Sequence, residues 1–216
     1  AGAGIYGNSS SPIISGCVIS SNSGAGIDNY YYSSPVIRDC VVSHNSPGGG
    51  IVNRRLCSPT ISHCSITDNS SAGDGGGIHN ARNSSPTITD CTIARNSAAD
   101  DGGGMYSYDY SSASSINCTF VGNVAIDSGG AIYNDLCGPS FIHCTITGNS
   151  ALYDGGGVRN DVGSYPQAPP TFINCVIWSN SPSVQISPNA WYSATVFSSI
   201  VQGGFVRGSN IITVDP

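Results

Sequence analysis

The sequence predicts an all-β solenoid, and two observations point to that fold class. A short apolar stretch recurs seven times with Pro, Cys and Asn five residues apart, as in Pro59, Cys64 and Asn69, and Ala113 takes the place of Pro in one of the seven. The intervals between successive cysteines of this series are 23, 24, 27, 27, 26 and 31 residues. Self-similarity at such a period is typical of stacked repeats and not of a single globular core.

The same marker residues occupy the same place in every repeat. We call each repeat a coil and number it by the place of its cysteine in the series. These cysteines are Cys17, Cys40, Cys64, Cys91, Cys118, Cys144 and Cys175. Five residues after each stands an asparagine: Asn22, Asn45, Asn69, Asn96, Asn123, Asn149 and Asn180. A second block, Gly-Gly-Gly-Ile or a variant, gives each coil an apolar residue: Ile5, Ile27, Ile51, Ile78, Met105, Ile132 and Val158. Insertions therefore fall in the turns between the blocks.

The local pattern predicts strands. In the segment PTISHCSIT, Ile61, Cys64 and Ile66 lie in short apolar runs with polar neighbours, which indicates two strands with a bend at Ser62 and His63. No stretch has helical spacing, and three leucines are too few for a leucine-rich repeat. A single-stranded right-handed parallel β-helix of about seven to eight coils is the remaining fold, a rod roughly 35 to 40 Å long at ~4.8 Å per coil.

The coils fill most of the chain. Residues 1–180 are expected to form regular coils, and residues 181–216 a degenerate C-terminal coil of the same domain. Because the chain opens on AGAGIYGN, already inside a repeat, we expect it to be a piece of an exported precursor.

Composition limits the partners. The chain has no Lys and no Glu, and thirteen Asp outweigh seven Arg to give a net charge of -6. Phosphate binding requires basic clusters, and the sole basic doublet is Arg54-Arg55, so nucleic acid is not an expected partner. No run of 18 apolar residues occurs, so no membrane span is expected.

The cysteines allow two interpretations. A disulfide framework is one, but seven cysteines in a single inward column favour a reduced packing ladder, because parallel side chains in register point the same way. Cys57 and Cys137 lie outside this column and three coils apart, ~14 Å, which is too far for a mutual bridge. We expect them to be free thiols or to link to another molecule. The seven asparagines are expected to form a hydrogen-bonded amide ladder.

Acidic residues mark the longest turns. In coils three to six the next apolar position is the ninth residue after the asparagine, and these turns contain Asp74, Asp100, Asp101, Asp127 and Asp154. Exposed turn carboxylates are the favoured interpretation. One or more calcium sites are the alternative, since hard cations prefer oxygen ligands. No other cofactor is expected.

Tyrosines mark a second candidate surface, near the turn between the two blocks of each coil. They are Tyr30, Tyr31, Tyr32, Tyr106, Tyr108 and Tyr110. Such side chains can stack on sugars or contact a protein partner, although tyrosines also suit strand and turn positions with no ligand.

The repeats resemble those of bacterial right-handed parallel β-helix proteins of the cell surface. Phe120, Asn123 and the segment Gly129 to Ile132 are similar to the FxxN and GGAI motifs of chlamydial polymorphic outer membrane proteins, while the other coils carry Ile or Val in place of that Phe. The resemblance implies an exported, surface-exposed scaffold and not a particular reaction.

We therefore expect an extracellular, non-enzymatic structural or adhesive β-solenoid that assembles head-to-tail into a surface filament, because an open coil can stack on another copy. The alternative is a secreted β-helix that binds or cleaves polysaccharide. Cleavage is disfavoured, because the Asp residues stand in turns, the Arg residues are scattered and no Glu is present. Besides a second copy, the expected partners are a polysaccharide or a ligand on a host or cell surface.

Overall fold

The computed structural model describes residues 2–161, 169–188, 194–203 and 208–209. These residues form four sheets of parallel strands with no helix among them, and each coil adds one strand to each of the three larger sheets. This confirms the predicted all-β solenoid. No described segment is a helix of the length and apolarity that crossing a membrane would need.

The strand bounds follow the repeat. Sheet A contains Ile5–Asn8, Ile27–Tyr30, Ile51–Arg54, Ile78–Ala81, Met105–Tyr108, Ile132–Asp135, Val158–Asp161 and Ile186–Pro188. Sheet B contains Ile13–Ser15, Val36–Arg38, Thr60–Ser62, Thr87–Thr89, Ser114–Ile116, Ser140–Ile142, Thr171–Ile173, Thr195–Phe197 and Gly208–Ser209. Sheet C contains Val18–Ser20, Val41–Ser43, Ser65–Thr67, Thr92–Ala94, Thr119–Val121, Thr145–Thr147, Val176–Trp178 and Ile200–Val201. Sheet D contains Ser70–Ser71, Ser97–Ala98, Val124–Ala125 and Ser150–Ala151.

Two local features shape each coil. The bend between sheets B and C is a single left-handed residue, His63 in coil 3 with φ 52°, and Asp90 and Asn117 take the same place in coils 4 and 5. Asp and Asn tolerate this conformation better than most residues. Sheet D is the extra strand formed by the lengthened turn, and it is present only in coils 3 to 6. The long acidic turns are therefore ordered strand-and-turn segments.

Buried apolar columns run along the rod. In sheet A, Ile51, Ile78 and Met105 are completely buried one above the other, and in sheet C Ile66 and Ile93 continue the pattern. Each strand buries alternate residues because successive side chains point to opposite faces. The core is thus a narrow column that repeats at every coil.

The seven asparagines form one hydrogen-bonded ladder beside this core. The Nδ2 of each donates to the Oδ1 of the asparagine in the next coil, over distances from 2.7 to 3.0 Å. Asn180, in coil 7, instead donates to Oε1 of Gln185 at 2.7 Å. The Gln185 amide turns back and donates to the carbonyl oxygens of Asn180 and Ser183. Gln185 therefore ends the ladder within the chain.

All nine cysteines are free, and six of the seven in the repeat column are buried, while Cys17 in coil 1 is exposed. Cys57 and Cys137 belong to a second buried column, with Ser33, Ser84 and Ser111 as its other members. The backbone N–H of Cys57 donates to Ser84 Oγ, that of Ser84 to Ser111 Oγ, and that of Ser111 to Cys137 Sγ.

This second column corrects the intermolecular-thiol hypothesis. Cys57 and Cys137 have no exposed surface, so neither sulfur can reach another molecule in this fold. Burial also raises the pKa of the Cys57 thiol and raises that of Cys137 to about 12, which disfavours the nucleophilic thiolate. Both residues act as packing and hydrogen-bonding groups equivalent to serine.

Replacing Cys57 by serine is therefore expected to change the free energy of unfolding by less than about 1 kcal/mol, because serine already fills this column in neighbouring coils. Cys57→Val is the matched control: it keeps a buried side chain but leaves the Ser33 N–H without its acceptor, and should cost about 2 kcal/mol. Urea unfolding of both variants measures the difference. A Cys57→Ser protein that is as unstable as Cys57→Val would contradict the interpretation.

Candidate functional site

The outer face of sheet A carries several aromatic and charged side chains. Two outward columns follow from the strand register. The first contains Tyr6, Asp28, Val52, His79, Tyr106, Tyr133, Arg159 and Ser187. The second contains Asn8, Tyr30, Arg54, Ala81, Tyr108, Asp135 and Asp161. The stacking of coils thus gathers residues that are about 27 positions apart in the chain.

Four rings form a cluster on coils 4 to 6. The Tyr106 ring lies 5.3 Å from His79, 5.7 Å from Tyr108 and 5.4 Å from Tyr133, centroid to centroid. Burial lowers the pKa of His79 to about 4, so its imidazole is neutral at pH 7. Burial likewise raises the pKa of Tyr106 and Tyr133, whose phenols stay protonated. The cluster presents uncharged rings with hydrogen-bonding groups.

The remaining predicted tyrosines lie at the other end of this face and in a turn. The rings of Tyr30, Tyr31 and Tyr32 contact one another on coil 2, with centroids 6.1 and 4.8 Å apart. Tyr31 and Tyr32 occupy the left-handed turn after the strand and are exposed, as is Tyr110 in the equivalent turn of coil 5. The structure therefore places the six predicted tyrosines in two groups, on coils 2 and 5.

An arginine-lined pocket of about 340 Å³ separates the two groups. Its walls are Tyr30, Arg54, Arg55, His79, Ala81, Arg82 and Tyr108. The sequence analysis did not predict this site, because Arg82 is 27 positions from Arg55 in the chain. The available signal was the register: Arg55 donates its N–H to Ala81 and Leu56 donates to Arg82, so Arg55 and Arg82 occupy equivalent positions in adjacent coils.

The acidic turns flank the first outward column of sheet A. Asp74 Oδ1 accepts the backbone N–H of Asp101 at 3.2 Å, and Asp101 Oδ1 accepts that of Ser128 at 3.0 Å. Asp127 accepts the Ser128 hydroxyl, and Asp154 pairs with Arg159. Most of these carboxylates thus bond to turn backbone or to a neighbouring side chain.

The described residues do not bring these carboxylates into a cation site. No three His, Cys or Asp side chains within the described ranges converge in a way that could hold a metal ion. Asp74, Asp101, Asp127 and Asp154 lie one per coil along the axis, and Asp100 is an exposed neighbour of Asp101. Calcium binding stays a prediction that this geometry does not favour.

The acidic column gives a pH-dependent prediction for Asp101→Asn. Burial, together with the charges of Asp127, Asp74 and Asp100, raises the pKa of Asp101 to about 6. Because Asp101 binds a proton more tightly in the folded chain than in the unfolded chain, protonation stabilises the fold at pH values below about 4, the pKa of an unfolded aspartate. This stabilisation is lost as the pH rises through 6. We expect Asp101→Asn to be more stable than the parent by about 1 kcal/mol at pH 7, after allowance for solvent screening, and equal to it at pH 4.

Asp68→Asn is the control of opposite sign for that experiment. The Arg95 guanidinium binds Asp68 at 2.7 and 2.8 Å and lowers the pKa of that carboxyl. Its removal should therefore destabilise the fold at pH 7 and have little effect at low pH. Thermal unfolding of both variants at pH 4 and pH 7 measures the two changes. Equal effects of Asp101→Asn at both pH values would contradict the prediction.

Comparison with known proteins bears on the fold. Comparisons with curated proteins and with solved structures gave no significant match. The sequence model of the family described as right-handed beta helix region matches residues 1–146. The matched segment covers the coils that carry both tyrosine groups and the arginine pocket. The chain therefore belongs to the right-handed β-helix family.

Proposed function

We propose that the protein is a non-enzymatic β-solenoid that acts outside the cell and binds an extended carbohydrate along the outer face of sheet A. The observation that carries the proposal is the pair of aromatic groups on coils 2 and 5, whose members Tyr30 and Tyr108 lie in one outward column of sheet A and line the pocket between the groups. Tyr30 and Tyr108 are three coil steps apart, ~14 Å along the rod. Aromatic rings of this kind provide an apolar surface with a polar edge, as sugar binding requires.

A rigid sheet suits such a ligand. The strands of sheet A pair through their whole length from coil 1 to coil 7, so the side chains on this face are held at fixed spacing. A preorganised surface loses little conformational entropy when a polymer binds. The carboxylates beside the face accept hydrogen bonds from turn N–H groups and pair with the Arg159 side chain. Because these carboxylates are engaged by the protein itself, the arrangement supports a binding role over an acid–base role.

Affinity electrophoresis in gels that contain one glycan polymer each tests this function. Tyr108→Ala is expected to weaken binding at least fivefold, because the ring borders both the aromatic cluster and the pocket. Tyr153→Ala is the matched control, since Tyr153 is 71% exposed and lies in a turn beside sheet D. Absence of binding to every polymer, or an equal loss for both variants, would contradict the proposal.

A head-to-tail filament is the second candidate. Ile13 and Val18 are 70% and 73% exposed on the outside of coil 1, where coils 3 and 4 carry Ser or Thr, which favours contact with a second copy near that end. Gln185 ends the amide ladder inside the chain, so a stacked copy would not continue that column directly. Electron microscopy at rising concentration distinguishes the outcomes: filaments support the candidate, and monodisperse short rods contradict it.

A further inference from the structure

The pocket on sheet A is positively charged although the chain as a whole is acidic. Seven arginines stand against thirteen aspartates in the sequence, and three of the seven, Arg54, Arg55 and Arg82, line this one pocket. Each of the three is an exposed residue. A concentration of guanidinium groups on an acidic protein creates a local potential that attracts anions.

Among the described residues, two of the three guanidinium groups form no ion pair with an aspartate. Arg54 forms an ion pair with Asp28, whereas neither Arg55 nor Arg82 forms one among the described residues. The other described arginines, Arg38, Arg95 and Arg159, are each paired with an aspartate. Unpaired arginine in this chain is thus confined to the pocket, within the part that the structure describes.

The shape of the pocket follows from one small residue. Ala81 lies between Arg54 and Tyr108 in the second outward column, and its side chain is buried at 3% exposure. A larger residue there would continue the column and fill the space. Arg55 lies 5.3 Å from the centroid of the Tyr30 ring, so charge and aromatic surface meet at one wall.

We propose that this pocket binds an oxyanion group carried on a sugar, so that the ligand of the sheet A face is an anionic glycan. Arg55 and Arg82 supply the positive charge and paired N–H donors, which match the geometry of carboxylate and of sulfate oxygens. Tyr30 and Tyr108 contact the rings that carry or adjoin the anionic group. The inference rests on the proposed glycan-binding function and names the chemical class of its ligand.

Isothermal titration with three polymers tests the inference: dextran sulfate, polygalacturonate and neutral dextran. We expect the parent protein to bind one or both anionic polymers at least tenfold more tightly than neutral dextran. Binding of dextran sulfate alone identifies a sulfate group, and binding of polygalacturonate alone identifies a carboxylate. Either result supports the pocket, provided that the variants below respond as expected.

Variants separate the pocket from the general charge of the protein. Arg82→Gln and Arg95→Gln are a matched pair, because both residues are exposed and have left-handed backbones with φ of 56° and 53°. Arg82→Gln should weaken anionic binding several-fold, and Arg55→Gln with Arg82→Gln at least tenfold, while Arg95→Gln changes it less than twofold. Ala81→Tyr fills the pocket without changing the charge and should also weaken binding at least fivefold.

The outcomes distinguish this inference from the function on which it depends. Equal loss in Arg82→Gln and Arg95→Gln would overturn the pocket as the anion site. Binding of neutral dextran as tight as that of the anionic polymers, unaffected by the arginine variants but lost in Tyr108→Ala, would overturn the anionic ligand and leave glycan binding intact. No binding of any polymer by the folded parent protein would overturn both.

Discussion

Replacing Asn96 by alanine is expected to lower the free energy of unfolding by about 3 to 4 kcal/mol, because it interrupts the buried amide ladder at its centre. Asn96 Oδ1 accepts two hydrogen bonds from Asn69, from the backbone N–H and from Nδ2, both at 3.0 Å. Asn96 Nδ2 donates to the Ile66 carbonyl oxygen at 2.9 Å and to Asn123 Oδ1 at 3.0 Å. Alanine removes all four bonds and leaves buried groups that water cannot reach.

The melting temperature should fall by about 10 °C for a chain of this length. Asn8→Ala is the matched control, because Asn8 is an exposed residue of sheet A whose side chain makes one long contact with Ser9. It should change stability by less than about 0.5 kcal/mol. Calorimetry of both variants measures the difference, and similar melting temperatures for the two would show that the ladder contributes no net stability.

Replacing Gly76 by alanine is expected to cost about 3 kcal/mol for a steric reason. A Cβ at Gly76 would lie 2.3 Å from the Ser97 carbonyl oxygen and 2.6 Å from that of Gly103. Both are backbone atoms of the neighbouring coil, so no side-chain rotation relieves the clash. The turn that contains Ser97 and Gly103 would have to move away from Gly76, which weakens the parallel hydrogen bonds between the two stacked turns.

Gly73→Ala is the control within the same turn. Its Cβ would meet Asp100 Oδ2 at 3.8 Å, an ordinary contact, and no left-handed φ is present. We expect its stability to stay within about 0.5 kcal/mol of the parent, measured by urea unfolding. Hydrogen exchange should show early opening at sheet D in Gly76→Ala alone. A normal stability for Gly76→Ala would mean that the coils can separate at little cost.

The same steric reason accounts for a variation in the repeat. Ala25 takes the place of this glycine in coil 2, and coil 2 has no strand in sheet D. Gly76 and Gly103 pass close to sheet D carbonyl oxygens, whereas Ala25 meets no such strand. At these three positions the choice between alanine and glycine therefore follows the presence of a neighbouring sheet D strand.

Much of the fold was predictable because the repeat gives every coil the same markers. The bend at His63 and the lengthened turns of coils 3 to 6 were both visible as fixed offsets from the cysteine. The second buried column was visible in principle too: Ser33, Cys57 and Ser84 each stand two residues before a proline. It was not predicted because the column contains both serine and cysteine, so that the cysteines considered alone do not show that they share positions with serines.

The candidate site was only half predictable. Its tyrosines were found as local clusters, but the arginine pocket depends on Arg55 and Arg82 meeting across a coil boundary. The acidic turns were noticed for their carboxylates, yet their bonds to turn N–H groups appear only when the coils are stacked. Local composition reveals candidate chemistry, while register decides which groups meet.

By itself, the sequence determined the solenoid, its inward columns and the number of coils, because period and alternation fix which side chains face the core. Only the tertiary structure decided which outward residues share a face and which are enclosed. The spacing of Tyr30 and Tyr108 around Ala81, and the burial of Cys57, depend on the exact alignment of coils with unequal turns. Those turns vary in length, so their alignment is set by packing between coils and not by any one repeat.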